Sequence, residues 1–412
     1  MADTTRWNDL TVWETSGFLR FLHEHHIDVN DLLESSSYEE EARRFVRLKH
    51  TGINNDGIKD SVDTLLHSIA AYVLARETAE GGNDSSQGVM PQAVKWLPGF
   101  YSLPLSVPIS QVGLYQDGRM YGIDVSSGYA VSLLDIQPGE HVLDLCCAPG
   151  AKLTMIADLL RLQGSVTGVD YSRSRLSACR RLVHKYQLVR VEVEAADVAW
   201  RCRLFHADGR VFNIGPKTEC GGTNGLEVLL DTHEVAARAP KDRKRKRKNK
   251  SARARDAKQQ HVMKVDPALY DKVLVDAECT HDGSIRHLQR LNTAVKWETY
   301  VHDHLNSSEV DRILTLQHDL IRSGFNLLRP GGTMIYSTCS LSTKQNEDIV
   351  SRFLADETLA KLDPIARGED VPCQQGKLRG TLRFTPSHNT SGLFIARIRK
   401  ISTELPVITK RG

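Results

Sequence analysis

The stretch HVLDLCCAPGAKLTMIADLL, His141 to Leu160, decides the fold. HVLDLC is short and mostly apolar, as a strand buried on both faces would be, and the small residues after it form a turn. KLTMIADLL then carries apolar residues at helical spacing. A strand, a small-residue turn and a helix form the unit that doubly wound sheets use to hold a nucleotide at the carboxyl ends of their strands. Pro149, Gly150 and Ala151 let a ligand approach the backbone, and the helix N-terminus behind them favours a carboxylate or phosphate. The spacing is neither GxxxxGK[ST] nor GxGxxG, so this is no phosphate-cradling Walker loop and no standard dinucleotide fingerprint.

Downstream the same alternation continues. SVTGVD, RLFHAD, KVLVDA and TMIYST read as strands, with helices beginning near Ala151, Ser172, Ser308 and Thr343. The third of these helices places Val310, Ile313, Leu314, Leu320, Ile321 and Leu328 on one face, as packing on a sheet requires. The expected fold class is therefore α/β, a Rossmann-like domain with a largely parallel sheet. Asp170 closes the second strand, where a carboxylate can accept both hydroxyls of a ribose, and Asp208 closes the third, within reach of an adenine amino group. An isolated aspartate at such a place is more often a helix cap or turn former. The loop and the two strand-end aspartates, in this order, point to S-adenosylmethionine.

Upstream, FLRFLHEHH, EEEARRFVRLKH and DSVDTLLHSIAAYVLARE show helical spacing, so residues 1–120 are expected to form a smaller, mainly helical region. Residues 121–402 form the expected α/β domain. Residues 211–265 lack sustained periodicity and are expected to be a disordered basic insertion. Within them, Lys241 to Arg255 holds ten Lys or Arg and one Asp, a net +9; against +3 for the whole chain, the remainder carries −6. Overall charge thus says little about nucleic-acid affinity. The basic run favours the nucleus over the cytoplasm as the expected location. No stretch is long and apolar enough to span a membrane, and MADTTRWNDL lacks the pattern of a signal peptide, so a soluble intracellular protein is expected.

None of the eight cysteines is spaced as CxxC, so no metal site is expected. Two of them end strands: Cys279 in VLVDAECTHDGS and Cys339 in MIYSTCSLS. At these residues the chain resembles the nucleolar-protein/Sun (NSUN) family of RNA cytosine-C5 methyltransferases, whose motifs read approximately DLCAAPGGKT, DAPCSG and YSTCSL. The matching stretches are DLCCAPGAKL, DAECTHDG and YSTCSLS, joined by IDVSSGYAVSLLDIQPGEHV and RFTPSHNTSGLFIARIRK. They cover most of the chain from about Gly122 to Lys400, in the family's order.

The resemblance implies transfer of a methyl group from S-adenosylmethionine to C5 of cytosine in RNA, with tRNA preferred and rRNA second, residues 121–402 being the methyltransferase domain and residues 1–120 the region that engages RNA. It assigns Cys339 as the nucleophile that adds to C6, Cys279 as the thiol that assists release, and Asp276 and Lys152 as the residues that hold and orient the base. It also implies a cofactor site formed by Cys146, Cys147, Ala148, Pro149, Gly150, Ala151, Lys152, Asp170, Arg175, Asp208 and Asp276. C5 of cytosine is a weak nucleophile until a thiolate adds to C6, which explains the need for a thiol. Cys279 has Asp276, Glu278 and Asp282 beside it, whereas Cys339 has Ser and Thr neighbours and an expected helix start beyond it, so Cys339 is the expected thiolate. The chain departs from the family pattern at Glu278, in place of a proline; at Thr280 and His281, in place of Ser and Gly; and at Ala151 and Leu153. The altered loop motivates one rival, a non-catalytic RNA-binding or scaffold protein retaining the fold. Oligomeric state is not readable from the sequence.

Overall fold

A computed structural model describes residues 8–33, 43–49, 63, 65–72, 91–186, 188, 200–218, 226–233, 269–386 and 390–402. Helices α1 (Leu10–Ser16) and α2 (Phe18–Glu24) come first, followed by four short strands, β1 (Arg43–Leu48), β2 (Gln92–Ala93), β3 (Phe100–Pro104) and β4 (Met120–Gly122). After α3 (Val125–Ser132), the chain alternates: β5 (His141–Asp144), α4 (Ala151–Leu159), β6 (Ser165–Asp170), α5 (Arg173–Lys185), β7 (Arg201–His206) and β8 (Glu227–Asp231). Then follow β9 (Tyr270–Asp276), α6 (Ala294–His304), α7 (Ser307–Leu327), β10 (Leu328–Thr338), α8 (Glu347–Asp356), β11 (Ala360–Leu362), β12 (Gln374–Gln375), β13 (Leu382–Phe384) and β14 (Leu393–Lys400).

The large sheet runs β12-β13-β14-β10-β9-β5-β6-β7-β8, with β11 pairing to β14. Its five central strands, β10, β9, β5, β6 and β7, are parallel, while β8 and the C-terminal strands join antiparallel. The chain moves outward from β5 to β7, then returns to β9 on the other side of β5. This reversal leaves a crevice at the carboxyl ends of β5 and β9. The strands alternate between two buried faces: Leu274 and Ile335 pack under α3, α4 and α5, while Val273, Val275, Met334 and Tyr336 pack under α7 and α8. A sheet covered on both sides needs apolar residues at consecutive positions, which is why its strands read as continuous runs. All five expected strands and the helices expected near Ala151, Ser172 and Ser308 are present; the one expected near Thr343 opens at Glu347.

Two expectations need correction. RRFVRL, read as helical, is β1, the strand between β3 and β4 in an antiparallel sheet of order β2-β3-β1-β4. The described part of residues 1–120 is thus mixed rather than mainly helical, and β4 crosses the boundary set at residue 120. Helical spacing fits this stretch, but so does alternation at Val46 and Leu48, both buried with Leu103 and Met120. Those partners lie far along the sequence and settle the choice. Second, the expected insertion is ordered at both described edges. Residues 226–233 contain β8, which pairs with β7, and buried Asp231 accepts from Arg201 at 2.7 Å. Buried Arg203 donates to the carbonyls of Gly215 and Thr218. The basic run from Lys241 to Arg255 lies outside the described residues.

The N-terminal elements are fastened to the large domain. Trp13, Phe18, Phe21 and Leu22 form one core with Trp297, Tyr300 and Leu341. Buried Arg47 on β1 pairs with Asp158 of α4 and donates to the Tyr121 hydroxyl at 2.8 Å.

Candidate active site

The turn after β5 is tight because Gly150 has φ +112° and sits against α5, where an added Cβ would lie 2.8 Å from Cys179 Sγ. Only glycine meets both conditions comfortably. The turn and the ends of β6, β9 and β10 border a cleft of about 770 Å³. Cys146, Lys152, Asp170, Arg175, Asp208, Asp276 and Cys339 line it, so the fold brings together most of the expected site residues.

Asp170 is buried at the end of β6. Its two carboxylate oxygens accept the amides of Ala148 (3.1 Å) and Ser172 (2.8 Å), and Arg175 Nη1 stands 3.9 Å away. Each oxygen keeps a lone pair for a further donor. Arg175 also donates to the Ala148 carbonyl at 2.5 Å, so it braces the turn. Asp208 is held by Arg210 at 2.7 Å, which keeps its carboxyl below the usual carboxylate range. Beside Asp170, the Tyr171 ring is 77% exposed on the cleft wall. An exposed aromatic beside a strand-end aspartate is a signal that sequence reading passed over; its ring offers a face for stacking. Ribose acceptors, an aromatic face and a tight turn at a helix N-terminus fit S-adenosylmethionine. Ala148, Pro149, Gly150 and Ala151 form the turn but do not line the cleft; Cys147 turns away from it, its thiol buried against Cys179.

At the end of β9, Asp276 Oδ2 accepts from Lys152 Nζ and Oδ1 from Ser337 Oγ, both at 2.8 Å. Burial opposes the Lys152 charge, but Asp276, helped by Asp144 and Cys339, more than offsets it and raises the ammonium above the ordinary lysine value. Asp144, at the end of β5, was not singled out in the sequence. Burial, reinforced by the nearby Asp276 carboxylate, pushes it up to about 8. No described side chain hydrogen-bonds its carboxyl.

The loops after β9 and β10 are stitched together. Buried Asp282 accepts from Ser340 Oγ (2.8 Å), the Leu341 amide (2.7 Å) and Thr280 Oγ1. The Gly283 amide donates to the Cys339 carbonyl at 3.0 Å, where an added Cβ would stand 2.5 Å from that oxygen. Tyr300 donates to the Thr280 carbonyl, and Gln317 of α7 donates to the Glu278 carbonyl. Glu278 itself points into the cleft and pairs with Arg312 at 2.8 Å. Side chains of α6 and α7 therefore hold the loop where the resembled family has a proline.

The result is a thiol pair with Cys279 Sγ 3.3 Å from Cys339 Sγ. His281 Nδ1 lies 3.1 Å from Cys339 Sγ and 3.8 Å from Cys279 Sγ. Two sulfurs this close cannot both carry charge, so the pair shares one anion. The hydrogen bond from Cys339 draws the charge to Cys279, against burial, and His281 adds its attraction; Cys279 falls well below the ordinary thiol value while the Cys339 thiol rises. Sequence context pointed to Cys339 as the thiolate; here the Cys339 S–H and the His281 imidazole, on Cys279's own loop, draw the charge toward Cys279, and α8 begins only at Glu347. Access runs the other way. Cys339 lines the cleft, and Cys279 is buried behind it.

A family model described as 16S rRNA methyltransferase RsmB/F matches residues 131–208 and 234–399, more than half of the chain. Ribosomal RNA small subunit methyltransferase F of Vibrio campbellii is 28% identical over 313 residues, covering 74% of this chain and 50% of that protein. Its counterpart in Erwinia tasmaniensis is 26% identical over 310 residues, covering 73% and 49%. The chain thus spans about half the length of the curated relatives it matches. A methyltransferase homologue from Pyrococcus horikoshii superimposes with a TM-score of 0.54 at 21% identity, covering 93% of this chain and 98% of that one. NSun6 from the same organism, solved with SFG, gives 0.53 at 16%, covering 88% and 91%. These likenesses establish the Rossmann-like methyltransferase fold.

Proposed function

The chain belongs to the 16S rRNA methyltransferase RsmB/F family, whose members are S-adenosylmethionine-dependent RNA methyltransferases, and from that premise we propose that it methylates C5 of cytosine in RNA through a covalent cysteine adduct. The observation that carries this reading is the thiol pair at the carboxyl edge of the sheet, beside the Lys152–Asp276 pair and facing the same cleft as Asp170. S-adenosylmethionine, when bound, supplies an electrophilic methyl group. Cys146, Asp170, Tyr171, Arg175 and Asp208, which line the cleft, would hold it.

Cys339 is the nucleophile because its sulfur faces the cleft. Its proton leaves toward Cys279, and the freed electron pair forms the bond to C6 of the base. C5 then becomes electron-rich and takes the methyl group. Loss of the C5 proton, assisted by Cys279, breaks the S–C6 bond and returns Cys339. Asp276 and Lys152 orient the N3/N4 edge of the cytosine. The names of the curated relatives favour ribosomal RNA, with tRNA second, the reverse of the order expected from sequence. The scaffold reading loses its motive at Glu278, whose loop keeps the two sulfurs together.

Labelled S-adenosylmethionine with RNA from cells lacking the protein tests the reading. Wild type is expected to label RNA at bisulfite-resistant cytosines, and Cys339→Ala to abolish the label. Equal labelling by both, or none by wild type on rRNA and tRNA, overturns it.

A further inference from the structure

His281 has φ +59°, in the left-handed region that histidine enters more readily than most side chains; among the described residues His26, Asp135, Arg161 and Leu162 share it. The resembled family has glycine here, which adopts that conformation without strain. The ring is open to solvent on one side and faces both sulfurs on the other, 3.1 Å and 3.8 Å away through one nitrogen. The charged and titratable groups facing it are Cys279 and Asp282 from its own loop, Cys339 from the loop after β10, Arg175 from α5, and His287, whose ring lies 5.6 Å away. Asp282 already accepts three hydrogen bonds, which leaves the two sulfurs as the groups His281 meets through Nδ1.

We propose that His281 is the cation that holds whichever sulfur of the thiol pair is charged, a proposal that rests on the RNA methyltransferase reading for its catalytic meaning. At rest the imidazolium faces the Cys279 thiolate. The Cys339 S–H bond breaks, its proton passes to Cys279 Sγ 3.3 Å away, and the electron pair stays on Cys339 Sγ for C6, with the imidazolium nitrogen 3.1 Å from it. Once Cys339 is bonded to C6 and uncharged, the imidazolium faces Cys279 again; the Cys279 proton leaves to water, and the resulting thiolate takes the C5 proton. The S–C6 electron pair returns to Cys339 Sγ, and the proton on Cys279 passes back to it, which restores the resting pair. One proton is released per methyl group transferred, as replacement of C–H by C–CH₃ from a sulfonium donor requires. The position of the ring allows one cation to serve the two sulfurs in turn, which neither thiol could achieve alone. The rise of His281 to about 9 beside the Cys279 thiolate accords with this ion pair.

The test needs neither RNA nor cofactor. Iodoacetamide alkylation of Cys279 and Cys339 is followed by mass spectrometry across pH in the full chain, comparing wild type with His281→Gly and His281→Asn, both suited to a left-handed backbone. Near neutral pH, wild type is expected to react on the order of tenfold faster than either variant, corresponding to a thiol value moved by about one unit. Above the ordinary thiol value of about 8.5 the three should converge. His281→Gly should melt no lower than wild type, so that slow alkylation reports lost chemistry and not lost folding. Superimposable pH profiles would overturn the proposal. A normal profile shift with no RNA methylation by wild type would overturn only the functional reading, and methylation with identical profiles would overturn only the role of His281.

Discussion

At the scale of single residues, charge and access divide the two cysteines. Cys279 holds the resting charge because a thiol and an imidazole point at it, yet Cys339 has the open side. If Cys279 assists release, Cys279→Ala should trap RNA on Cys339. A shifted band on a denaturing gel is expected for that variant and not for Cys339→Ala; its absence would undo the division of labour. Asp144 makes a separate prediction. Its folded value is raised from 3.8 to about 8, so the folded chain keeps a proton that the unfolded chain has lost. Stability therefore falls as pH rises across that window. Asp144→Asn should flatten this decline, and melting temperatures measured from acid to mildly alkaline pH should separate progressively from those of wild type. Asp170 was legible from spacing because a strand end fixes it, and Asp276 and Lys152 from the family resemblance alone. Asp144, Tyr171 and the role of His281 were not, since each depends on what burial or a second loop places beside it.

At the scale of elements, the site depends on two loops that meet across neighbouring strands. Asp282 is the fastening: one carboxylate holds Ser340, the Leu341 amide and Thr280. Asp282→Ala would leave buried donors unmatched, at about 1–3 kcal/mol for each unsatisfied group. A loss of about 3 kcal/mol in a urea titration is expected, together with alkylation rates for Cys279 and Cys339 that no longer depend on each other. Wild-type stability with intact coupling would show that another contact holds the loops. The parallel strands of this edge were readable because burial on two faces makes them apolar throughout. Strands β1 and β8 escaped because an antiparallel edge is defined by its partner: β1 needs β3 and β4, and β8 needs β7.

Across the whole molecule, the N-terminal helices reach the catalytic edge through one aromatic core. Trp13 and Phe18 pack on Trp297, with ring centroids 5.8 Å and 4.8 Å away, and the same core includes Leu341, two residues beyond Cys339. Trp13→Ala should cost about 3–5 kcal/mol and slow alkylation at Cys339, measured by thermal melting and by mass spectrometry; an unchanged thiol rate would separate the N-terminal region from the site. The sequence by itself determined the parallel core, the cofactor turn and the strand-end aspartates, because each follows from local spacing and from the apolar runs that a doubly covered sheet demands. Only the tertiary structure decided how β1 and β8 pair, how close the two sulfurs stand and what the residue after Thr280 can reach. Those outcomes depend on distances between segments some sixty residues apart, where Coulomb attraction, burial and hydrogen bonding act through space.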